Sequence, residues 1–277
     1  MIKSILTLLL VSIGLTACDG TPKPNTANPS AVASVSGSLN DGNPYQDKTL
    51  TFAAQDVAPN QLDYIAASAP TTFYYTPQGE PSPTQVENGY YRQILGKTSD
   101  GRSVVQDFYQ ATQKPQTSPF ILMVNASEQS FDKSVLDSRV IWYDGQGEIT
   151  SVGEFSNGVQ QGWLNVYEFN QLIMQLRDHD KGIDIRYFVP SEQLWGEARL
   201  QENLNTGAVS LANLTFYHGN GKVLSEVKVD ESGKPTGVNT YDINGQRVDA
   251  KQNATLNETM LRRFAVLMGK LPQLMAR

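Results

Sequence analysis

Two histidines, His179 and His218, are the side chains of this 277-residue chain best suited to exchange protons near neutral pH. His179 lies in a polar segment with acidic neighbours, Asp178, Asp180 and Asp184, which together could surround a divalent cation. Their spacing matches neither an EF-hand loop nor a zinc signature, so we predict a solvated loop and no metal site. His218 occupies the first position of a predicted turn, which is an ordinary surface role.

No catalytic motif is recognisable along the chain. A Gly-x-Ser-x-Gly nucleophile elbow is missing, and no glycine-rich loop precedes a helix in the pattern that binds phosphate groups. Carboxylates are frequent, with 28 acidic against 22 basic residues, so an envelope glycan hydrolase stays open as an alternative. We predict neither enzymatic activity nor a cofactor. The formal charge of −6 argues against a nucleic-acid partner, which needs a basic surface.

Aromatic side chains are the remaining candidates for a binding surface. Trp163, Trp195, Tyr90 and Tyr91 lie close to glycines, and aromatics aligned on one face of a sheet could line a groove for a protein or glycan partner. The alternative is that they form the packing ridge between hairpins. Trp142 lies in an apolar run and should be core. Because the whole chain is acidic, we expect a neutral or basic ligand.

The N-terminus has the pattern of a secretory signal. Lys3 precedes eleven mostly apolar residues, 5–15, which as a helix span roughly 16 Å. A bilayer core is about 30 Å thick, so this segment is too short to cross it and fits the apolar region of a signal peptide.

The only cysteine, Cys18, follows this run directly in the sequence Leu15-Thr16-Ala17-Cys18. The tetrapeptide resembles the bacterial lipobox, which implies a diacylglycerol on the Cys18 thiol and cleavage just before it. The alternative is a plain secretory signal with an incidental cysteine. Asp19 resembles an inner-membrane retention signal, so it favours the periplasmic side of the inner membrane, and the outer membrane stays open.

The folded part begins after a tether rich in proline, glycine and small polar residues. We predict an all-β fold, mainly an antiparallel β-meander of repeated hairpins, with a C-terminal amphipathic helix. The predicted organisation is a signal peptide over residues 1–17, a flexible tether over 18–60, an antiparallel β-repeat domain over 61–250 and a helix over 251–277.

The repeat is visible as the unit Tyr-x-x-x-Gly. Four units end at Gly79, Gly147, Gly221 and Gly245, where about one is expected by chance. Each reads as a type I turn followed by a glycine at positive φ, which closes a β-hairpin. Weaker copies, in which the glycine is replaced, end at Gln113, Gln171 and Ser191. The alternative is an ordinary β-sandwich whose hairpins use similar turns.

The stretch Phe-x-Asn-Gly-x-x-x-Gly-Trp over residues 155–163, after an aromatic pair and its turn, resembles a MORN (membrane occupation and recognition nexus) repeat. Residues 140–167 and 215–248 carry the likeness, which is closest to divergent bacterial MORN-like proteins, many of them labelled as antitoxins. The resemblance implies a repetitive β-meander that serves as a binding or scaffolding surface without catalysis. The chain lacks the basic character of phospholipid-binding MORN arrays.

The C-terminal segment has the apolar spacing of an amphipathic helix. Apolar residues recur at helical intervals from Leu256 to Leu271, before Pro272. We expect this helix to cover the sheet, and docking to a membrane or partner is the alternative.

Taken together, these features of the sequence predict a lipid-anchored envelope protein with a non-enzymatic binding or scaffolding body. The alternatives are an immunity-type lipoprotein that neutralises a toxin and a glycan hydrolase.

Overall fold

The computed structural model describes residues 57–58, 60–169, 171–179, 181–188, 193–202, 209–230, 235–249 and 253–275. The predicted signal peptide, Cys18 and the tether as far as residue 56 lie outside the described residues. The described chain forms antiparallel strands followed by one C-terminal helix, which confirms the predicted fold class.

Fifteen strands occur in the described chain, with a short 3-10 helix at Lys133–Val135 and the helix α1 at Ala254–Met275. The strands are β1 (Ile65–Tyr75), β2 (Pro81–Ser82), β3 (Tyr90–Lys97), β4 (Ser103–Tyr109), β5 (Phe120–Ile121), β6 (Arg139–Tyr143), β7 (Ile149–Ser156), β8 (Val159–Glu168), β9 (Gln171–His179), β10 (Gly182–Phe188), β11 (Leu194–Glu202), β12 (Val209–Tyr217), β13 (Val223–Val229), β14 (Pro235–Tyr241) and β15 (Arg247–Val248).

The strands form two antiparallel sheets. A five-stranded sheet has the order β2-β1-β3-β4-β5, and a ten-stranded sheet runs from β6 to β15 with each strand paired to the next along the chain. The ten-stranded sheet is therefore the predicted meander, built from consecutive hairpins.

The hairpin turns share one hydrogen-bond pattern. In the turn between β6 and β7, Gly147 N donates to Asp144 O at 3.0 Å, and Asp144 N donates to Glu148 O at 2.9 Å. The glycines of the four predicted turns all have positive φ: 82° at Gly79, 93° at Gly147, 78° at Gly221 and 85° at Gly245. The same two bonds close the turn from Thr98 to Gly101, a fifth copy that lacks the tyrosine. A glycine at positive φ thus closes all five turns, and an aspartate or threonine begins four of them.

The weaker copies turn differently. Gln113 also has a positive φ of 56°, but its N–H donates to Tyr109 O, one residue further back than in the glycine turns. Near Gln171, the positive φ falls on Phe169, whose side chain is exposed. Ser191 lies outside the described residues.

Helix α1 packs on one face of the ten-stranded sheet. Its buried residues Met260, Phe264 and Met268 belong to the main hydrophobic core. The Phe264 ring contacts Tyr187 and Phe216 edge-on, with centroids 6.1 and 6.3 Å apart. The helix therefore covers the sheet, as its apolar spacing predicts.

Helix α1 ends at Met275, within the predicted range of 251–277. It continues through Pro272, where the proline removes one intrahelical hydrogen bond. Among the residues that the structure describes, no helix combines the length and apolar character needed to cross a membrane.

The larger of two hydrophobic clusters joins the two sheets. Ile94 and Val105 of the five-stranded sheet share a hydrophobic cluster with Val140 and Trp142 of β6. Trp142 is 7% exposed, in the core as its apolar run predicts.

Residues before 61 also contact the β-sheet domain. Val57 packs against the smaller cluster, which contains Ile141. The carbonyl of Ala58 also accepts a hydrogen bond from Arg139 Nη1 at 2.8 Å.

Candidate binding face

The face of the ten-stranded sheet opposite α1 carries polar and charged side chains over its central strands. Alternation along β10 explains it: Ile183 and Ile185 point into the core, so Asp184 and Arg186 point the other way. We define the polar face as Trp163, Gln175, Arg177, Asp184, Arg186, Glu197, Arg199 and Tyr217.

Cross-strand register aligns these residues in two rows. Arg177, Asp184 and Arg199 lie opposite one another on β9, β10 and β11. Gln175, Arg186 and Glu197 form the neighbouring row on the same three strands. Directly opposed side chains of opposite charge stabilise a sheet, so the rows have a structural role whatever else they do.

Asp184 lies at the centre of the first row and accepts hydrogen bonds from both flanking arginines. Arg177 Nη2 is 2.8 Å from Oδ2, and Arg199 Nε is 2.7 Å from Oδ1. Asp184 is 8% exposed, whereas the side chains of Arg177 and Arg199 are 46% and 50% exposed. Burial raises the pKa of Asp184, but the hydrogen bonds from Arg199 and Arg177 outweigh it, so that this pKa lies below its ordinary value.

The second row contains another ion pair. Arg186 Nε donates to Glu197 Oε1 at 2.8 Å, and the Tyr217 hydroxyl donates to Glu197 Oε2 at 2.8 Å. Both oxygens of Glu197 are thereby engaged. Carboxylates on this face are occupied by partners within the sheet.

Trp163 lies against two arginines of the polar face. The Cζ atoms of Arg177 and Arg186 are 4.6 and 4.4 Å from its ring centroid, distances typical of cation–π contacts. The indole is half-buried, and nearby Gln175, 4% exposed, donates to Asn165 Oδ1 at 2.9 Å. Because guanidinium groups contact its ring, Trp163 orders both arginines, of which Arg177 is the more exposed, at 46% against 16% for Arg186.

The acidic residues around His179 do not converge. Its Nε2 atom is 3.8 Å from Asp184 Oδ1 on the polar face, but strand alternation places Asp178 on the opposite face of β9. Asp180 lies outside the described residues. Within the described ranges no three histidine, cysteine or acidic side chains are grouped closely enough to hold a metal ion.

The other histidine, His218, follows β12 in a turn, and its Nε2 is 2.9 Å from the carbonyl oxygen of Tyr241.

Trp195 is not brought together with Trp163. It is the extra residue of a bulge in β11, half-buried against the main core, and Arg263 of α1 lies 5.1 Å from its ring centroid. The neighbouring Gly196 makes room for the rings of Tyr187 and Phe216, since a β-carbon there would lie 3.1 to 3.2 Å from them. The indole of Trp195 stays partly exposed.

Tyr90 and Tyr91 lie on opposite faces of β3 in the five-stranded sheet. Tyr90 packs beneath Phe131, with ring centroids 5.5 Å apart. Tyr91 stacks on Phe108 at 4.9 Å on the other face, with Tyr74 at 6.4 Å. Neither tyrosine joins Trp163, so the four aromatic candidates lie in four separate places in the fold.

A buried ion pair in the five-stranded sheet escapes the sequence reasoning. Arg92 and Asp107 are 2% and 4% exposed and form two parallel hydrogen bonds of 2.7 and 2.8 Å. Arg92 Nη1 also donates to the Ser130 carbonyl at 2.6 Å, which fastens that loop to the sheet. The pair packs against core aromatics and has a structural role.

The arginines of the polar face were also missed, although one signal for them exists. Isoleucine and charged residues alternate along β10, which marks a strand with one buried and one polar face. Which charges meet across neighbouring strands depends on register, and bulges shift it within several pairings.

Fold and face together define a class of protein: an antiparallel β-meander covered by a helix on one side, with a network of arginines, carboxylates and one tryptophan on the other. No protein-family model matches the sequence, and no curated protein is significantly similar to it.

Proposed function

We propose that the chain is a lipid-anchored protein of the bacterial cell envelope and that its β-body is a non-enzymatic binding or scaffolding module. Cys18, placed after a short apolar segment, supports the anchor. The anchor leaves the body free to meet an envelope protein or glycan through its exposed face.

One observation carries the binding role. Arg177 and Arg199 are about half exposed, and both are oriented by Asp184 on the face that α1 leaves open. Trp163 packs against the Arg177 guanidinium and limits its movement further. Ordered side chains bind with a smaller entropy cost than mobile ones, so this arrangement is suited to recognition.

The same geometry does not suit a glycan hydrolase at this face. Such enzymes need a carboxylic acid whose pKa is raised, so that it can protonate the leaving group. The pKa of Asp184 is lowered, and both oxygens of Glu197 accept hydrogen bonds. We therefore favour binding over catalysis here.

The anchor is tested by Cys18→Ser. This change should abolish metabolic lipid labelling and release the body from the membrane fraction. Asp19→Asn is the matched control, because it leaves the thiol in place and should keep the label. A Cys18→Ser protein that still sediments with membranes at high salt would show that the anchor lies elsewhere.

The binding role is tested by crosslinking in intact cells. The wild-type chain should crosslink to an envelope component, and the double variant Arg177→Gln, Arg199→Gln should lose that product. Arg262→Gln on the exposed side of α1 removes one positive charge away from this face and serves as the control. Recovery of a secreted toxin would select the immunity-type alternative. Absence of any crosslinked envelope component from the wild type would overturn the proposal.

A further inference from the structure

We propose that the polar face binds an acidic glycan, with the carboxylates of the glycan on Arg177 and Arg199. This inference rests on the proposed function, since it names the ligand class of the same face. It is carried by the unused donors of the two arginines, by the charge of their cluster and by the side chains around them.

The two arginines retain most of their hydrogen-bonding capacity. A guanidinium has five N–H groups, and within the described chain Arg177 and Arg199 each donate one hydrogen bond, both to Asp184. Their side chains are 46% and 50% exposed, so the remaining donors are accessible to solvent. Both groups reach the Asp184 carboxylate from the strands on either side of β10, so we expect a single oxyanion on the solvent side to contact both.

The local charge is positive although the chain is acidic. Asp184 neutralises one of the two guanidinium charges, and the Arg186–Glu197 pair beside them is neutral. The cluster therefore has a charge of about +1 in a chain of −6. Whole-chain charge predicts a neutral or basic ligand, but charge complementarity at this face favours an anionic one.

The surrounding side chains favour a glycan over an acidic protein. Asn213 lies opposite Arg199, and Thr215 lies opposite Glu197, on the same face. Gln201 follows Arg199 by two residues along β11 and is exposed on that face as well. Amides and hydroxyls both donate and accept, which matches sugar hydroxyl groups. The aromatic side chains of the polar face are Tyr217, which is 8% exposed, and Trp163, which packs on two arginines. A protein partner would use more exposed aromatic side chains beside the arginines.

Trp163 is a positioning residue in this scheme. Its ring contacts the guanidinium groups of Arg177 and Arg186, so it sets the plane of Arg177 without meeting the ligand through its own face. Trp163→Phe keeps an aromatic ring at this position and should restore most of the affinity that Trp163→Ala loses.

The test uses the full chain in detergent and three immobilised probes: polygalacturonate, its fully methyl-esterified form and polyglutamate. We expect polygalacturonate to bind at least about tenfold more tightly than the ester, and binding to weaken as salt rises. Equal binding to the acid and the ester would overturn the need for a carboxylate. Equal or tighter binding to polyglutamate would identify an acidic peptide instead and overturn the glycan.

Variants locate the site. Arg177→Gln with Arg199→Gln should reduce polygalacturonate binding about tenfold or more, whereas Arg262→Gln should leave it unchanged. Wild-type affinity in the double variant would overturn this location. If the double variant loses its crosslinked partner in cells while the wild type does not prefer polygalacturonate, the ligand class is wrong and the binding function stands. If the wild type crosslinks to nothing in the envelope, the binding function itself fails.

Discussion

Arg199 Nε lies 2.7 Å from Asp184 Oδ1, on the neighbouring strand of the ten-stranded sheet. The contact joins a nearly buried carboxylate to a guanidinium that is half exposed. It therefore links the stability of the sheet to the charge state of a surface that we propose as a binding face.

Stability should depend on Asp184 in acid. Its folded-state pKa is lowered, because the hydrogen bonds from Arg199 and Arg177 outweigh burial. A lowered pKa means that its contribution is present above the unfolded-state pKa, near 4, and is lost as pH falls through the folded-state value. Asp184→Asn should cost about 1–2 kcal/mol at neutral pH.

Urea unfolding of the wild type and Asp184→Asn between neutral pH and pH 2 measures this effect. The difference in free energy of unfolding should shrink below pH ~4. Asp144→Asn, in an exposed hairpin turn, is the control for an acidic residue outside the network. A difference that stays constant down to pH 2 would contradict the assigned ion pairs.

The turn between β6 and β7 contains its own matched control. Gly147 has a φ of 93°, whereas the φ of Gly145 is not positive. The two positions offer equal space, because a β-carbon at either one would meet nothing within 4 Å. Gly147→Ala should therefore cost about 1–2 kcal/mol through backbone strain alone, whereas Gly145→Ala should be nearly neutral. Thermal and urea unfolding measure both, and equal losses would refute the positive-φ turn.

The two tryptophans at the same end of the sheet should behave in opposite ways. Trp142 is 7% exposed and packs edge-on against Phe155 at 5.9 Å, so Trp142→Ala should cost about 3–5 kcal/mol. Trp163 is half-buried among arginines, and Trp163→Ala should leave the thermal midpoint within a few degrees while weakening partner capture. A large loss of stability without loss of capture at Trp163 would assign it a structural role only.

Docking of α1 depends on Phe264. This residue is 6% exposed and contacts Tyr187 and Phe216, so Phe264→Ala should loosen the helix and expose it to proteolysis near residue 253. Val266→Ala is the control on the same helix, because its side chain is 62% exposed. Limited proteolysis followed by mass spectrometry compares them, and equal cleavage rates would argue against the helix as a cover for the core.

Local rules account for much of the fold. The turn glycines could be predicted because only glycine readily adopts the positive φ that ends such a hairpin. The core position of Trp142 could be predicted from an uninterrupted apolar run. The bulge that turns Trp195 toward the core and Arg263 cannot be recognised in the sequence. Its position depends on how β10 and β11 pair.

The candidate site was less predictable. The sequence predicts partial exposure of Trp163, and its side chain is half-buried. The sequence does not indicate its cation–π partners, Arg177 on β9 and Arg186 on β10. Total charge does not report the charge of one face, since an acidic chain can gather arginines there.

By itself, the sequence determined the antiparallel hairpins, their turn residues and the apolar stripe of α1, because backbone conformation and periodic burial are local properties of the chain. Only the tertiary structure decided that Arg177, Asp184 and Arg199 share one row and that the tryptophans lie on different surfaces. The physical reason is register: a shift of one residue between strands moves every side chain to the opposite face, and bulges make such shifts along this sheet.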